Sequence, residues 1–223
     1  MDVPLRMLAT TEVDVWLVAV DSATFSVARQ WLSVDERIRT TRLRRREDRM
    51  RFAITRAALR TLLGAYLGMS PHACLFEETQ YGKPFLANSI GGGVDFNVSH
   101  SGLYGLLAFT NGRPVGVDIE ECCPTVDYDA VASRAFSPGE QVGLTAAPAE
   151  FRRQEFFRFW TRKEAYLKCL GYGFGSTSPE RITATPCIDP TISIRSLSIA
   201  DGYAAAVATT GLTCQLTLRT FRV

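Results

Sequence analysis

Lysine and histidine are nearly absent from this chain. It has three lysines against 22 arginines, and two histidines. Six cysteines, at positions 74, 122, 123, 169, 187 and 214, form no C-x-x-C pair, so with so few histidines no zinc-site spacing exists. They read as reduced, mostly buried thiols, with the adjacent Cys122 and Cys123 as the one candidate redox pair. Long apolar runs are missing too. The leading N-terminal candidate, Val13 to Val20, is short and interrupted by Asp14, so no membrane span is expected. The N-terminus lacks a basic region leading into an apolar core and cleavage site, which predicts a cytoplasmic protein without a signal peptide. No aromatic-interleaved or zinc-finger pattern marks a nucleic-acid module.

The 223 residues are 46% hydrophobic and 22% charged, an ordinary globular composition with room for one large domain or two small ones. The formal charge of +2 conceals an asymmetry. Arg37, Arg39, Arg42, Arg44, Arg45, Arg46, Arg49, Arg51, Arg56 and Arg60 crowd one stretch against Glu47 and Asp48. Such a density suits a polyanion, with a solvated helix face and nucleic-acid binding as the competing readings. The three lysines, Lys83, Lys163 and Lys168, all fall inside the motifs below. Where a chain otherwise takes arginine, lysine is expected at positions that need a compact, mobile ammonium beside a phosphate.

Two of these motifs carry chemistry. In Val115 to Glu120 the apolar Val115, Val117 and Ile119 alternate with Gly116, Asp118 and Glu120, the period of a strand buried on one face. Asp118 and Glu120 therefore point the same way, and paired carboxylates repel unless a cation lies between them; hard oxygen ligands suit Mg²⁺. In Trp160-Thr161-Arg162-Lys163-Glu164-Ala165-Tyr166-Leu167-Lys168, Glu164 and Lys168 are one helical turn apart on one face. That face offers a metal ligand beside a phosphate clamp, or merely a surface ion pair.

Along the chain, Val13 to Val20 reads as a strand, Ser33-Val34-Asp35-Glu36 as a helix start, and Leu59, Leu62, Leu63, Tyr66 and Leu67 as the apolar stripe of a long helix that Gly68 ends. Ser70-Pro71 reads as a fresh helix start. A turn at Tyr81-Gly82-Lys83-Pro84 leads through Gly91-Gly92-Gly93 to a hairpin, Phe96 to Val98 and Leu103 to Phe109. Ser137-Pro138-Gly139-Glu140 is a capping-box sequence, and Phe151 to Leu170 a second long helix stopped by Gly171 and Gly173. The tail from Ile182 to Val223 is β-rich, alternating in Thr191 to Ile199 and Cys214 to Phe221 with a strand from Tyr203 to Ala208 between. Strand, long helix, strands thus occurs twice. The fold expected is α+β, with halves meeting near residue 112.

Tyr81-Gly82-Lys83-Pro84, Phe96-Asn97-Val98-Ser99-His100-Ser101-Gly102, Val115 to Glu120 and Trp160 to Lys168, in this order, resemble the Sfp-type 4′-phosphopantetheinyl transferases over about residues 30 to 175. The resemblance implies two similar α+β subdomains related by a pseudo-twofold axis, residues 1–112 and 113–223, with coenzyme A in the cleft between them. It implies a monomer that moves the phosphopantetheine arm of coenzyme A to a serine of an apo acyl or peptidyl carrier protein, releasing adenosine 3′,5′-bisphosphate. Neither nucleic acid nor membrane is then a partner. Carried over to this sequence, Asp118, Glu120 and Glu164 match the Mg²⁺ ligands, Glu164 is the candidate base, and Lys168 offsets charge on the departing phosphate. Ser99 and His100 match contacts to the coenzyme's phosphates, while Lys83, Arg39, Arg51 and Arg56 match the 3′-phosphate and adenine end. Taken without the motif, His100 equally fits a core histidine. Lys163 either contacts phosphate or snorkels, and Glu140 either approaches the metal or serves only its capping box. A coenzyme A-binding regulatory module of the same fold, without transfer, is the alternative.

Overall fold

A computed structural model describes residues 7–80, 82–87, 93–123, 125–172, 190–211 and 215–222. Tyr81, Gly91-Gly92, Gly173, residues 182–189 including Cys187, and Cys214 lie outside the described residues. The ordered elements are β1 (Glu12–Ala19), α1 (Ser22–Ala28), α2 (Val34–Arg42), α3 (Arg46–Leu67), a β2/β3 hairpin (Phe76–Glu78, Pro84–Leu86), β4 (Val94–Ser101), β5 (Tyr104–Asn111) and β6 (Val115–Glu121). There follow α4 (Tyr128–Ala135), α5 (Pro138–Ala146), α6 (Arg152–Cys169), β7 (Ile192–Leu197), β8 (Tyr203–Thr210) and β9 (Gln215–Phe221). Among these helices none is long and apolar enough to cross a membrane.

Local chemistry explains the boundaries. Ser33 and Ser137 each cap a helix in a reciprocal box, accepting from the amides of Glu36 and Glu140 while those carboxylates accept from the serine amides. Gly68 ends α3 in the left-handed region that its missing Cβ permits. The expected helix at Ser70-Pro71 is a single 3₁₀ turn, Pro71–Ala73, because the chain swings at once into the β2/β3 hairpin.

The repeated order of elements closes into repeated topology. In the first sheet β5 pairs antiparallel with β1 and β4; in the second β8 pairs antiparallel with β6 and β7. Strand, long helix and two further strands thus build the same β–β–β arrangement twice, an α+β fold. One departure concerns the C-terminal part. β9, expected in the second half, pairs parallel with β1 and completes the first sheet. It covers an edge that β1 would otherwise expose.

Period-2 alternation then decides what each face meets. Val13 and Val15 of β1, Leu106 and Ala108 of β5, Val115, Val117 and Ile119 of β6, and Ala205 and Val207 of β8 form one core between the two sheets. On the outer face of the first sheet, Trp16, Val18, Leu107 and Phe109 pack with α3 residues such as Ile54, Ala58, Leu62 and Tyr66. The outer face of the second carries small residues, Ala206 and Ala208, under Ala165 of α6. Gly116 belongs to that face. A Cβ there would lie 2.0 Å from the Ala165 carbonyl oxygen and 2.3 Å from the Cys169 amide nitrogen, so α6 rests directly on the β6 backbone. This close approach brings the Glu164 and Lys168 face down to Asp118.

Gly116→Ala is therefore expected to lift α6 and destabilise the protein by about 1–3 kcal/mol, the cost of forced overpacking against backbone that cannot rotate away. Urea unfolding measures it, and a loss under about 0.5 kcal/mol would mean the helix does not depend on this contact.

Candidate active site

Strand β6 presents Asp118 and Glu120 on the face toward α6, as alternation requires, and α6 returns Glu164 and Lys168 to the same place. Asp118 is buried at 2% exposure, and its Oδ1 accepts from Lys168 Nζ at 2.6 Å and from Ser99 Oγ at 2.8 Å. Lys168 Nζ also reaches Ser99 Oγ at 3.2 Å and the Val117 carbonyl at 3.3 Å. Burial works against the Lys168 charge, but the Asp118 and Glu164 carboxylates overcome it and hold the ammonium above the ordinary lysine range. Among the described residues Asp118 Oδ2 is buried without a hydrogen-bond partner.

The neighbouring carboxylates feel the same crowding. Burial, then the charge of Asp118, pushes Glu120 upward, opposed by a hydrogen bond from Ser101 and by Lys168. Burial pushes Glu164 up to about 7, with Asp118 and Glu120 adding to it and Lys168 pulling the other way. The charge of Asp118 thus adds to the cost of ionising Glu120 and Glu164 around a single ammonium. Among the described residues no three His, Cys, Asp or Glu groups already stand as a metal cluster. The donor set nonetheless fits a hard divalent cation, because it is all carboxylate oxygen and leaves the buried Asp118 Oδ2 unanswered.

β4 fixes this face from the other sheet. Its alternate residues Asn97, Ser99 and Ser101 turn toward β6, while Phe96 joins the α3 core with Val94 and Val98 packed against it. Asn97 Oδ1 accepts from the Val117 amide at 2.9 Å, Ser99 donates to Asp118, and Ser101 Oγ donates to Glu120 Oε2 at 2.8 Å. The two sheets are thereby stitched along the reactive strand by side chains rather than by a backbone ladder.

A groove of about 270 Å³ opens beside Lys168, with Arg39, Arg56, Ser99 and His100 also in its walls. The guanidinium groups of Arg39 and Arg56 lie over the Phe52 ring, at 5.0 and 5.7 Å from its centre. Glu36 lies 3.6 Å from Arg56, and Arg39 bonds Glu78 at 2.5 Å. His100 is exposed at the groove and does not occupy a core position. A larger concavity, about 640 Å³ between Phe151, Arg158 and Tyr203, gathers none of the expected site residues.

Three expected contacts fall elsewhere. Lys163 is buried at 1% side-chain exposure, paired with Glu140 Oε2 at 2.7 Å and donating to the Ala135 carbonyl at 2.6 Å. It therefore neither reaches the groove nor snorkels, and Glu140 is engaged by this pair and by its capping box. Lys83 turns inward between the halves, where its Nζ donates to the carbonyls of Val115 at 3.1 Å and Lys168 at 3.0 Å. It caps the last turn of α6, a usual task for a lysine at a helix C-terminus. Arg51 pairs with Asp48 at 2.5 Å and donates to the Gly102 carbonyl at 3.2 Å, outside the groove lining.

Comparison with known proteins places these features in a family. Over 217 residues the chain is 36% identical to the 4′-phosphopantetheinyl transferase HetI of Nostoc sp., covering 93% of this chain and 92% of that protein. The chain belongs to the 4′-phosphopantetheinyl transferase superfamily. Residues 114–211 match the profile of the 4′-phosphopantetheinyl transferase superfamily, and residues 19–112 that of the 4′-phosphopantetheinyl transferase N-terminal family. It is also 36% identical over 159 residues to a putative 4′-phosphopantetheinyl transferase of Synechocystis sp., covering 71% of this chain and 65% of the relative. With the 4′-phosphopantetheinyl transferase Sfp of Bacillus subtilis it shares 28% identity over 143 residues, 64% of this chain and 62% of Sfp. Within this transferase family the signal for Asn97 and Ser101 was present in the sequence as polar alternation in β4, but their partner strand was not.

Proposed function

We propose that the protein transfers the 4′-phosphopantetheine arm of coenzyme A to a serine hydroxyl of an apo acyl or peptidyl carrier protein, with Asp118, Glu120 and Glu164 holding Mg²⁺. The observation that carries this is the buried Asp118 Oδ2, without a hydrogen-bond partner among the described residues, beside Lys168 and with Glu164 on the same side. A module that only bound coenzyme A would need no base there. Mg²⁺ bound by the three carboxylates would offset the charge that builds on the pyrophosphate oxygens during displacement.

The chain's own groups do the rest. The carrier serine Oγ bonds to the phosphorus of the pantetheine phosphate as the bond from that phosphorus to the bridging oxygen breaks. The electron pair stays on the departing adenosine 3′,5′-bisphosphate. Glu164, directly or through a water, takes the serine proton. Lys168 meets the negative charge that develops on the departing oxygen. Ser99 and His100 lie along the groove toward Arg39 and Arg56, whose guanidinium forks and planar faces suit the 3′-phosphate and adenine. The halves are assigned to residues 1–112 and 113–223, with β9 returned to the first, and the protein is taken to work as a cytoplasmic monomer.

Mass spectrometry of several apo carrier proteins, incubated with the protein, coenzyme A and Mg²⁺, tests the reading. A gain of one phosphopantetheine is expected on at least one of them; a folded protein that modifies none would overturn it. The groove assignment has its own test. Coenzyme A should bind about tenfold or more tightly than 3′-dephospho-coenzyme A, and Arg56→Ala should shrink that gap as charge-assisted bonds are lost. Equal dissociation constants measured by calorimetry in the unmutated protein would remove Arg56 from the phosphate site.

A further inference from the structure

We propose that Ser101 is a positioning residue for Glu120, fixing which of its oxygens faces the cation; the inference rests on the reading of Asp118, Glu120 and Glu164 as cation ligands. Ser101 Oγ donates to Glu120 Oε2 at 2.8 Å and accepts from the Glu121 amide at 3.1 Å. A hydroxyl has one hydrogen, and an amide N–H can only donate. With the amide N–H on one of its two lone pairs, the hydroxyl turns its proton to the carboxylate, which in ionised form can only accept. Glu120 Oε2 is thereby engaged, and Oε1 is left as the oxygen without a hydrogen bond among the described residues.

The donor also sits on a fixed platform. Ser101 is the last residue of β4, paired across the hairpin with Tyr104 of β5. On one side of the turn the Gly102 carbonyl accepts from Arg51; on the other the Leu103 amide donates to the Tyr203 hydroxyl at 2.9 Å. Tyr203 begins β8, the partner of β6, where it faces Glu121 in register. The turn is thus tied both to α3 and to the sheet that carries Glu120. Ser101 differs in this from Ser99, whose hydroxyl lies between Asp118 and the Lys168 ammonium. Outer hydrogen bonds of this kind set the orientation of a metal-binding carboxylate and the affinity that follows from it.

The test uses Mn²⁺ as a paramagnetic probe, its binding followed by electron paramagnetic resonance on the whole protein with coenzyme A present. Ser101→Ala is expected to weaken Mn²⁺ about tenfold, the low end for loss of an outer hydrogen bond, and Ser101→Thr to stay within about twofold of the unmutated protein. Coenzyme A affinity measured without metal should be the same in all three, because Ser101 lies outside the groove. Should the alanine variant not fold, Ser101→Cys keeps the size, has a weak donor and is expected to show the same tenfold loss. Mn²⁺ affinity within about twofold in a folded Ala or Cys variant would overturn the proposal. So would a folded Thr variant as weak as Ala, since packing and not the hydroxyl would then matter. Absence of Mn²⁺ binding by the unmutated protein would instead remove the ligand reading on which the inference stands.

Discussion

Replacing Glu164 with glutamine should give a folded protein that still binds coenzyme A yet transfers about a thousandfold more slowly, the scale of a lost general base combined with a lost electrostatic contact. Gln keeps the size and polarity of the side chain, so the α6 packing beneath Ala165 and Gly116 is undisturbed. What disappears is the negative charge and the oxygen able to take a proton. Among the described residues Glu164 accepts no hydrogen bond that would tie it to the fold, which leaves stability little affected. Asp118 and Glu120 remain, so binding in the groove should fall only modestly. Single-turnover transfer and calorimetric coenzyme A affinity separate the two effects. Near-normal transfer by this variant would end both roles assigned to Glu164.

Lys163→Met should act on stability and not on binding. The Lys163–Glu140 pair is enclosed between α6 and α5, with the Phe136 ring centre 5.3 Å from the ammonium and side-chain exposures of 1% and 3%. Removing the ammonium strands a buried carboxylate, for which a loss of about 3–5 kcal/mol is expected. Adding Glu140→Gln should return most of that loss, since the amide keeps an acceptor for the Ser137 amide and no charge is left buried. Coenzyme A affinity of the folded single variant should be unchanged. Urea unfolding of the single and double variants checks the first claim and calorimetry the second. A double variant no more stable than the single would mean that the pair's charge is not what matters.

Much of this was legible from residue patterns, and the exceptions share a cause. The Val115 to Glu120 alternation was enough to put Asp118 and Glu120 on one face, and helical spacing put Glu164 and Lys168 on another; both are properties of a few consecutive residues. The helix start at Ser33 and the capping box at Ser137 were readable for the same reason. The carbonyls that Lys83 and Lys163 meet were not legible, because a compact ammonium serves a cage of carbonyls as well as it serves a phosphate. Which one it meets depends on Val115, Ala135 and Lys168, residues distant in sequence. The pairing of β9 with β1 was equally hidden, since nothing local in Gln215–Phe221 says which edge it will join.

That last strand bears on how the molecule comes to be folded at all. Its register joins Glu12 to Gln215 and Val18 to Phe221, so the first sheet closes only on residues made long after its other strands. The rim of β1 therefore stays open on the nascent chain while the second sheet is still being synthesised, a template for pairing with the wrong chain. Arg219, 3.5 Å from the buried Asp14, gives the arriving strand a charged partner to find. Shortening the chain before β9 would thus harm the half of the molecule farthest from the cut in sequence, and the damage should surface as aggregation of newly made protein before any loss of chemistry.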